Sequence, residues 1–240
     1  MKYSQSLALL LLSPCLAPAA VVVSSGPLNT LIPDDSNTGV VSSILFPDSL
    51  TVEDIAVSLS ISVVDADPGW LGDLYAYVRH DSGISVLLNR PGRDGIRVAG
   101  YSDDQGAQLT FSDDALGGDV HNYRLALSGD ESVPVGAPLT GLWQPDGRTV
   151  DPGQVESGDT PTAPLGSFLG EDASGSWTLF VADLSGGGQF RLDEWSIAVE
   201  SAAVPEPGVT GSVVLLALAG WLGSRLGREK KGSERRLSGS

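Results

Sequence analysis

The stretch Ile55-Ala56-Val57-Ser58-Leu59-Ser60-Ile61-Ser62-Val63 decides how this chain folds. Large apolar residues alternate with small or polar ones along its whole length. This period of two is typical of a β-strand with one buried face and one face in water. The stretch therefore predicts a long strand at the edge of a hydrophobic core.

Similar signals recur along the chain and predict more strands. Five further segments alternate in this way or directly follow a turn signal: residues 74–79, 84–88, 109–111, 177–181 and 195–199. Ser82-Gly83 predicts a hairpin turn, and Gly186-Gly187-Gly188 breaks the chain before the last strand. Residues 129–164 are rich in Pro, Gly and Asp, which predicts a long surface loop with one short strand near Gly141-Leu142-Trp143.

Between residues 40 and 200 the sequence has no helical period of useful length. Many short strands separated by turns are typical of two stacked sheets, so we expect an all-β fold, a jelly-roll-like β-sandwich. Trp177 and Trp195 each begin an alternating strand, and we expect both to anchor the core, because burying an indole removes about 150–250 Å² from water. The alternative, a platform that stacks on sugars, requires an exposed indole.

The charge of the chain is strongly uneven. The 240 residues include 30 acidic and 14 basic side chains, for a formal net charge of −16. Six basic residues lie after position 224, and the stretch from residue 3 to 224 contains seven arginines and no lysine. Nucleic-acid binding is excluded, since it requires a basic face. An acidic surface favours solubility and attracts divalent cations.

Residues 1–20 have the pattern of a secretory signal peptide. Lys2 is followed by the apolar run 7–12 and by Ala17-Pro18-Ala19, with Ala17 and Ala19 at the spacing of a cleavage site. A buried helix of the folded domain and a lipoprotein acylation site at Cys15 are the alternatives. Residues 21–43 are interpreted as a lead-in segment to the domain.

The C-terminus combines three parts in order. A linker, residues 202–207, contains Pro205, Glu206 and Pro207, which fit neither a helix nor a central strand. Residues 208–224 carry no charge and predict a transmembrane helix near the lower length limit. Residues 225–240 form a basic tail, including Arg225 and Arg228, that the positive-inside rule places in the cytoplasm.

This three-part ending resembles the PEP-CTERM sorting signal of Gram-negative bacteria. The resemblance implies export through the inner membrane, recognition there by an exosortase, removal of the tail and delivery to the cell surface or extracellular matrix. The basic tail is longer and more diluted by Gly, Ser and Glu than in that family. An ordinary membrane anchor is the alternative.

Residues 44–201 resemble the P domain, or P/Homo B domain, that follows the catalytic domain of kexin- and furin-like subtilases. The match rests on three blocks in order: residues 55–88 with Gly72-Asp73-Leu74, residues 109–115, and residues 168–197 with Gly175-Ser176-Trp177 and Val181-Ala182-Asp183. Arg79-His80-Asp81 departs from the family pattern. The resemblance implies a jelly-roll sandwich without catalytic activity of its own.

Catalytic chemistry has little support in the sequence. His80 and His121 are the only histidines, and we interpret them as ordinary surface residues. The chain has no Gly-x-Ser-x-Gly motif, and two isolated histidines without a cysteine in the mature chain do not form a zinc site. Pairs of carboxylates, which glycosidases use, occur by chance in so acidic a chain. We therefore predict that the protein is not an enzyme.

Calcium is the one cofactor that the sequence favours. Ca²⁺ takes six to eight oxygen ligands, often from loops. Asp113 and Asp114 directly follow a predicted strand and Asp73 precedes another, so the three are predicted to converge at one end of the sandwich. The other interpretation is a solvated acidic face.

Together these observations predict an exported, non-catalytic protein whose sandwich acts as a structural or adhesive binding module at the cell surface or in the matrix, with extracellular polysaccharide as a candidate partner. The alternative is an accessory module that stabilises or targets a separate subtilisin-like protease.

Overall fold

Residues 19–64, 69–81 and 83–201 are described by the computed structural model. Within them the chain forms ten strands and one short α-helix. The strands are β1 Ala19–Ser24, β2 Thr30–Leu31, β3 Ser36–Phe46, β4 Asp54–Val63, β5 Leu74–His80, β6 Gly83–Asn89, β7 Gly106–Phe111, β8 Leu139–Trp143, β9 Gly175–Asp183 and β10 Phe190–Ser201. The helix α1 is Tyr123–Ser128, and single 3₁₀ turns lie at Leu71–Asp73, Val120–Asn122 and Leu165–Phe168.

The strands form two sheets, which confirms the all-β sandwich. The six-stranded sheet has the order β1-β10-β4-β7-β8, with β2 also on β10, and the four-stranded sheet has the order β3-β9-β5-β6. All pairs are antiparallel except β7 with β8. Strands that are neighbours in a sheet are mostly distant in sequence, so long-range pairing holds the fold together.

Strand β4 shows how the alternation builds the core. Ile55, Val57, Leu59 and Ile61 are buried, and the residues between them face outward. Its partners β10 and β7 have the same arrangement, so one face of the central three strands is continuously apolar. The core then forms where this face packs against the four-stranded sheet.

Both predicted anchor tryptophans lie in this core. Trp177 is fully buried and donates its indole N–H to the carbonyl of Ala173 at 2.8 Å. Trp195 is equally inaccessible, and its indole N–H donates to the hydroxyl of Ser42 at 2.9 Å. Neither indole presents a face to solvent, so neither forms a sugar platform.

The segment 21–43 is not a lead-in, because it supplies strands to both sheets. Strand β1 pairs with β10, with Val21 opposite Val199 and Val23 opposite Ile197. Strand β3 begins at Ser36 and forms the edge of the other sheet. The alternation is weak here because edge strands bury little surface, so pairing with a distant partner determines their structure.

The predicted surface loop 129–164 is also more structured than its composition indicates. It contains the predicted short strand as β8, which adds to the sheet in parallel with β7. Beyond β8 the side chains of Asp146, Arg148 and Val155 are buried. Asp146 and Arg148 form an ion pair inside the protein. The segment is therefore partly buried although it contains few apolar residues.

Among the described residues, no helix has the length and apolar character needed to span a bilayer. The predicted signal peptide lies almost entirely outside the described residues, and so do the linker with Pro205, Glu206 and Pro207, the predicted membrane segment 208–224 and the tail with Arg225 and Arg228. The first described strand begins at Ala19, and its pairing continues from Ala20 to Ser24 beyond the predicted cleavage position.

Candidate functional site

The structure does not bring the three predicted calcium ligands together. Asp73 precedes β5 at the end of the sandwich where Leu74 pairs with Asp183. Asp113 and Asp114 follow β7 and line a groove with Asp54, the first residue of β4. The last residue of β4, Val63, pairs with the first residue of β10, which follows the loop after Asp183. The first residue of β4, Asp54, therefore lies at the opposite end of the sandwich from Asp183.

Asp113 has a structural role at its end of the sandwich. Its carboxylate accepts the backbone N–H groups of Leu165 at 3.0 Å and Gly166 at 2.5 Å. These donors begin the 3₁₀ turn Leu165–Phe168, where N–H groups lack partners within the turn. Asp114 is exposed. The prediction of a metal site at Asp113 and Asp114 therefore has no geometric support.

At the other end, Asp73 and Asp183 form a buried acid pair. The two side chains are 1% and 0% exposed, and the N–H of Leu184 donates to the carbonyl of Asp73 at 2.9 Å. Arg90 lies beside them and donates to Asp73 Oδ1 at 3.2 Å and to the Ser185 hydroxyl at 3.0 Å. The guanidinium thus pairs directly with Asp73, and its charge acts only weakly on Asp183.

Three of the four carboxylate oxygens of the pair accept no well-aligned hydrogen bond within the described part of the chain, although the backbone N–H of Ser185 lies near Asp183 and the Ser185 hydroxyl lies near Asp73. The three oxygens are Asp73 Oδ2 and both oxygens of Asp183. Leaving a buried polar atom without a partner costs roughly 1–3 kcal/mol, and more when the group is charged. The pair therefore needs a proton or a cation to offset this cost.

The environment of the pair raises both carboxyl pKa values. Burial raises the pKa of Asp73 to about 6, although the charge of Arg90 opposes the change. Burial raises the pKa of Asp183 to about 7, and the negative charges of Asp73 and Asp34 add to it. Near neutral pH the pair is therefore poised between holding a proton and holding a full double negative charge.

The donor set fits a hard divalent cation better than other metals. Carboxylate, hydroxyl and backbone carbonyl oxygens are the ligands that Ca²⁺ takes, and cysteine is absent from residues 19–201. In the described ranges, no group of three or more His, Cys, Asp or Glu side chains surrounds a single point. A cation at Asp73 and Asp183 would therefore complete its shell with carbonyls, the Ser185 hydroxyl or water.

The sequence contained a signal for Asp183 that composition and turn patterns did not reveal. Asp183 continues the buried alternation of Trp177, Leu179 and Val181 along β9, so its side chain is placed on the core side of the strand. An acid at a buried-face position is costly unless it is paired, which makes it a functional candidate.

The two histidines are buried, so the prediction that they lie on the surface is wrong. The ring nitrogens of His80 lie 3.2 and 3.0 Å from the carbonyls of Ser176 and Asp172, and its ring stacks on Trp177 with 4.3 Å between centroids. His121 is 0% exposed, with Nδ1 2.8 Å from Asp146 and Nε2 3.0 Å from the Arg93 carbonyl.

These contacts hold both imidazoles in place inside the protein. Every ring nitrogen is engaged with a protein group, and Asp146 is itself buried against Arg148. The His121–Asp146 pair has the composition of a catalytic dyad, but no serine or threonine hydroxyl among the described residues is hydrogen-bonded to its imidazole. Its geometry is that of an internal polar network that ties the 146–148 segment to the sandwich.

Comparison with known proteins gives only distant structural similarity. No family model matches the chain, and no curated protein matches it. The serine protease of Aeromonas sobria has 16% sequence identity over 79% of this chain and 28% of the protease, with a TM-score of 0.39. The complex of that protease with its chaperone gives 16% identity over 78% and 27%, with a TM-score of 0.40. The chain thus spans little more than a quarter of those chains.

Proposed function

We propose that this chain is an exported, non-catalytic β-sandwich module that binds Ca²⁺ at the buried acid pair and acts as a structural or adhesive element at the cell surface or in the matrix. The observation that carries the proposal is the set of three buried carboxylate oxygens of Asp73 and Asp183 that accept no well-aligned hydrogen bond.

The small number of charged ligands implies weak Ca²⁺ binding, which suits a protein outside the cell. Only two carboxylates are available, and Arg90 already offsets part of their charge. Calcium sites of extracellular modules have dissociation constants of about 10⁻⁴–10⁻³ M, so they fill outside the cell rather than in the cytosol. A domain that folds tightly only when such a site is filled is suited to the exterior, where the signal-peptide pattern of residues 1–20 directs it.

The absence of a catalytic role is supported by the histidines. His80 and His121 are buried, and both ring nitrogens of each are engaged by protein groups. The proposed maturation follows the sequence pattern: cleavage after Ala19, recognition of the C-terminal segment by an exosortase-type enzyme, and release from the inner membrane.

Thermal unfolding with and without Ca²⁺ tests the calcium site. We expect the full chain, in a mild detergent at pH 7.5, to melt several degrees higher in 2 mM Ca²⁺ than in EDTA, since a ligand that binds only the folded state stabilises it. Asp183→Asn removes one ligand and should abolish the shift. Asp114→Asn, an exposed acid at the opposite end, is the matched control and should retain the shift.

Equal melting temperatures in Ca²⁺ and EDTA would contradict the calcium site and indicate that the acid pair is held by a shared proton. The alternative function, an accessory module for a subtilisin-like protease, predicts a different result in a pull-down from culture supernatant. It predicts capture of a subtilase, whereas a matrix module captures polysaccharide.

A further inference from the structure

The outer face of the four-stranded sheet carries a groove of about 350 Å³. We call it the aromatic groove and define it by residues from β3, β5 and β9 and the turn after β5: Val41, Tyr77, Arg79, His80, Asp81, Ser176, Thr178 and Phe180. It lies on the solvent side of the strands whose other side forms the core. It is therefore separate from the buried acid pair.

Three aromatic rings cluster at one end of the groove without being buried. Tyr77 and Phe180 are cross-strand partners and stack with 5.1 Å between ring centroids and 21° between planes. Tyr75 adds a third ring, 5.9 Å from Tyr77 and 6.4 Å from Phe180. All three are only half-buried. Neighbouring Val41 and Leu45 are 65% and 70% exposed, so the face is unusually apolar for a solvent surface.

At the other end, Arg79 is distinct from the other arginines of the domain. Residues 19–201 contain seven arginines as their only basic side chains besides histidine. Six of them donate hydrogen bonds to carboxylates, hydroxyls or carbonyls: Arg90, Arg93, Arg97, Arg124, Arg148 and Arg191. Arg79 is exposed, and its side chain makes neither an ion pair nor a hydrogen bond with any residue that the structure describes.

Asp81 also lines the groove and likewise has no ion pair or hydrogen bond within the described residues. The groove thus combines aromatic rings with a planar donor, Arg79, and an acceptor, Asp81, that do not pair with each other. Ser176 adds a further hydroxyl, whereas the hydroxyl of Thr178 lies 3.0 Å from that of Ser43 and is already hydrogen-bonded. An apolar surface with a few placed polar groups is typical of a ligand site.

The ligand that matches this arrangement is a sugar chain. A pyranose ring presents C–H groups on its faces, which pack on aromatic rings, and vicinal hydroxyls at its edge, which both donate and accept hydrogen bonds. Arg79 and Asp81 supply the matching donors and acceptor. The strongly acidic molecule repels a polyanion, and Asp81 offsets the single cation of the groove, so the charge favours a neutral polymer.

We propose that the aromatic groove binds a neutral polysaccharide, with Tyr77 and Phe180 stacking on a sugar ring and Arg79 and Asp81 bonding to its hydroxyls. The inference deepens the proposed function and rests on it, since it names the ligand class and the surface of a matrix-binding module.

Native affinity electrophoresis of the full chain in a polyoxyethylene detergent tests the groove. The gels contain no polymer, dextran, hydroxyethyl cellulose, a soluble β-1,3-glucan, or polygalacturonate as an acidic comparison. We expect at least one neutral glucan to retard the chain. Tyr77→Ser should raise the apparent dissociation constant about tenfold or more, and Arg79→Gln about fivefold. Arg191→Gln, a partly exposed arginine on the other sheet, is the matched control and should bind like the parent chain.

Three results would overturn the proposal: no retardation by any of the neutral glucans, retardation by polygalacturonate alone, or unchanged binding by both Tyr77→Ser and Arg79→Gln. Melting curves of each variant in Ca²⁺ establish that the variant is folded. If the glucans fail while the Ca²⁺-dependent melting shift persists, the groove assignment fails and the calcium-bound module stands. If the glucans bind but Ca²⁺ does not raise the melting temperature, the calcium site fails and the groove assignment stands.

Discussion

At the residue scale, Asp73 and Asp183 set how stability depends on pH. Their folded pKa values of about 6 and 7 exceed the ordinary value of 3.8. Between pH 3.8 and about 7, the folded state therefore binds more protons than the unfolded state. The stability that the pair contributes is fully present below pH 3.8 and is lost as the pH rises to about 7.

The first prediction follows from this sign. In EDTA, Asp183→Asn should be more stable relative to the parent chain at pH 8 than at pH 4, by on the order of 2–4 kcal/mol. The asparagine removes a buried charge, so it gains nothing at low pH and avoids the cost at high pH. Urea unfolding of both chains across this range measures the difference. A constant difference between the two chains would contradict the raised pKa of Asp183.

His121 gives a second pH prediction at this scale. Burial alone would lower its pKa, but the hydrogen bond and charge of Asp146 outweigh burial and raise it above 6.5. The stabilisation by this pair is therefore present below pH 6.5 and is lost as the pH rises through the folded pKa. NMR titration of the imidazole protons, assigned with His121→Gln, should give a midpoint above 6.5. A midpoint at or below 6.5 would show that burial dominates.

Single residues also show how far the sequence determines the site. Trp177 and Trp195 were predictable as buried residues because each starts a period of two. Asp73 was predicted to be a metal ligand, which stays a prediction, but Asp183 beside it was not singled out, and Asp113 was incorrectly placed at the same end. Which strand ends meet depends on the order of strands in the sheets, and local patterns do not encode that order.

At the scale of elements, the irregularity in β3 shapes the aromatic groove. The register of β3 with β9 shifts between Ser36 and Val40, and Gly39 lies inside the shift with φ +55°. A Cβ atom there would lie 2.5 Å from the carbonyl oxygen of Val181 and 2.7 Å from the ring of Phe180. Glycine thus permits β3 to approach Phe180 closely and fixes its ring.

The third prediction concerns this glycine. Gly39→Ala should lower the free energy of unfolding by about 2–4 kcal/mol, because it adds steric conflict to the cost of a positive φ. Gly26→Ala is the matched control: Gly26 has φ +64° but open space around its Cβ position, so only about 1–2 kcal/mol is expected. Urea unfolding measures both. Equal losses would show that β3 does not pack closely at this position.

The central strands were predictable from the sequence, whereas the edge strand β1 was not. The alternation of β4, β5, β9 and β10 predicted the central strands, because each buries one full face. Strand β1 was not predicted: its first two residues were assigned to the signal peptide and the rest to the lead-in, and its run Ala19-Ala20-Val21-Val22-Val23 has no alternation. Val22 is 63% exposed, so the apolar run reflects an edge strand paired to β10 rather than a buried segment.

At the scale of the whole molecule, the acid pair lies where the two sheets connect. Asp73 leads into β5 and Asp183 ends β9 in one sheet, and the loop after Asp183 leads into β10 of the other. The cation that we propose at this pair would tie two strand ends to the connection between the sheets. Without it, ionisation of both carboxyls would leave two buried like charges at that point.

The fourth prediction concerns maturation of the whole chain. The intact mass of protein recovered from the cell surface should correspond to a chain that starts after Ala19 and lacks residues 208–240. The expected cause is cleavage by a signal peptidase and by an exosortase-type enzyme. A mass that retains residues 208–240 would contradict removal of the tail and indicate a permanent membrane anchor.

Calorimetric titration of Ca²⁺ into the full chain at pH 7.5 measures whether the pair of Asp73 and Asp183 binds a cation. We predict one site per chain with a dissociation constant of about 10⁻⁴–10⁻³ M, absent in Asp183→Asn and unchanged in Asp114→Asn. Binding should weaken as the pH falls below 7, because protons compete for the carboxylates. An absence of binding heat, or a site that survives Asp183→Asn, would contradict calcium binding at Asp73 and Asp183.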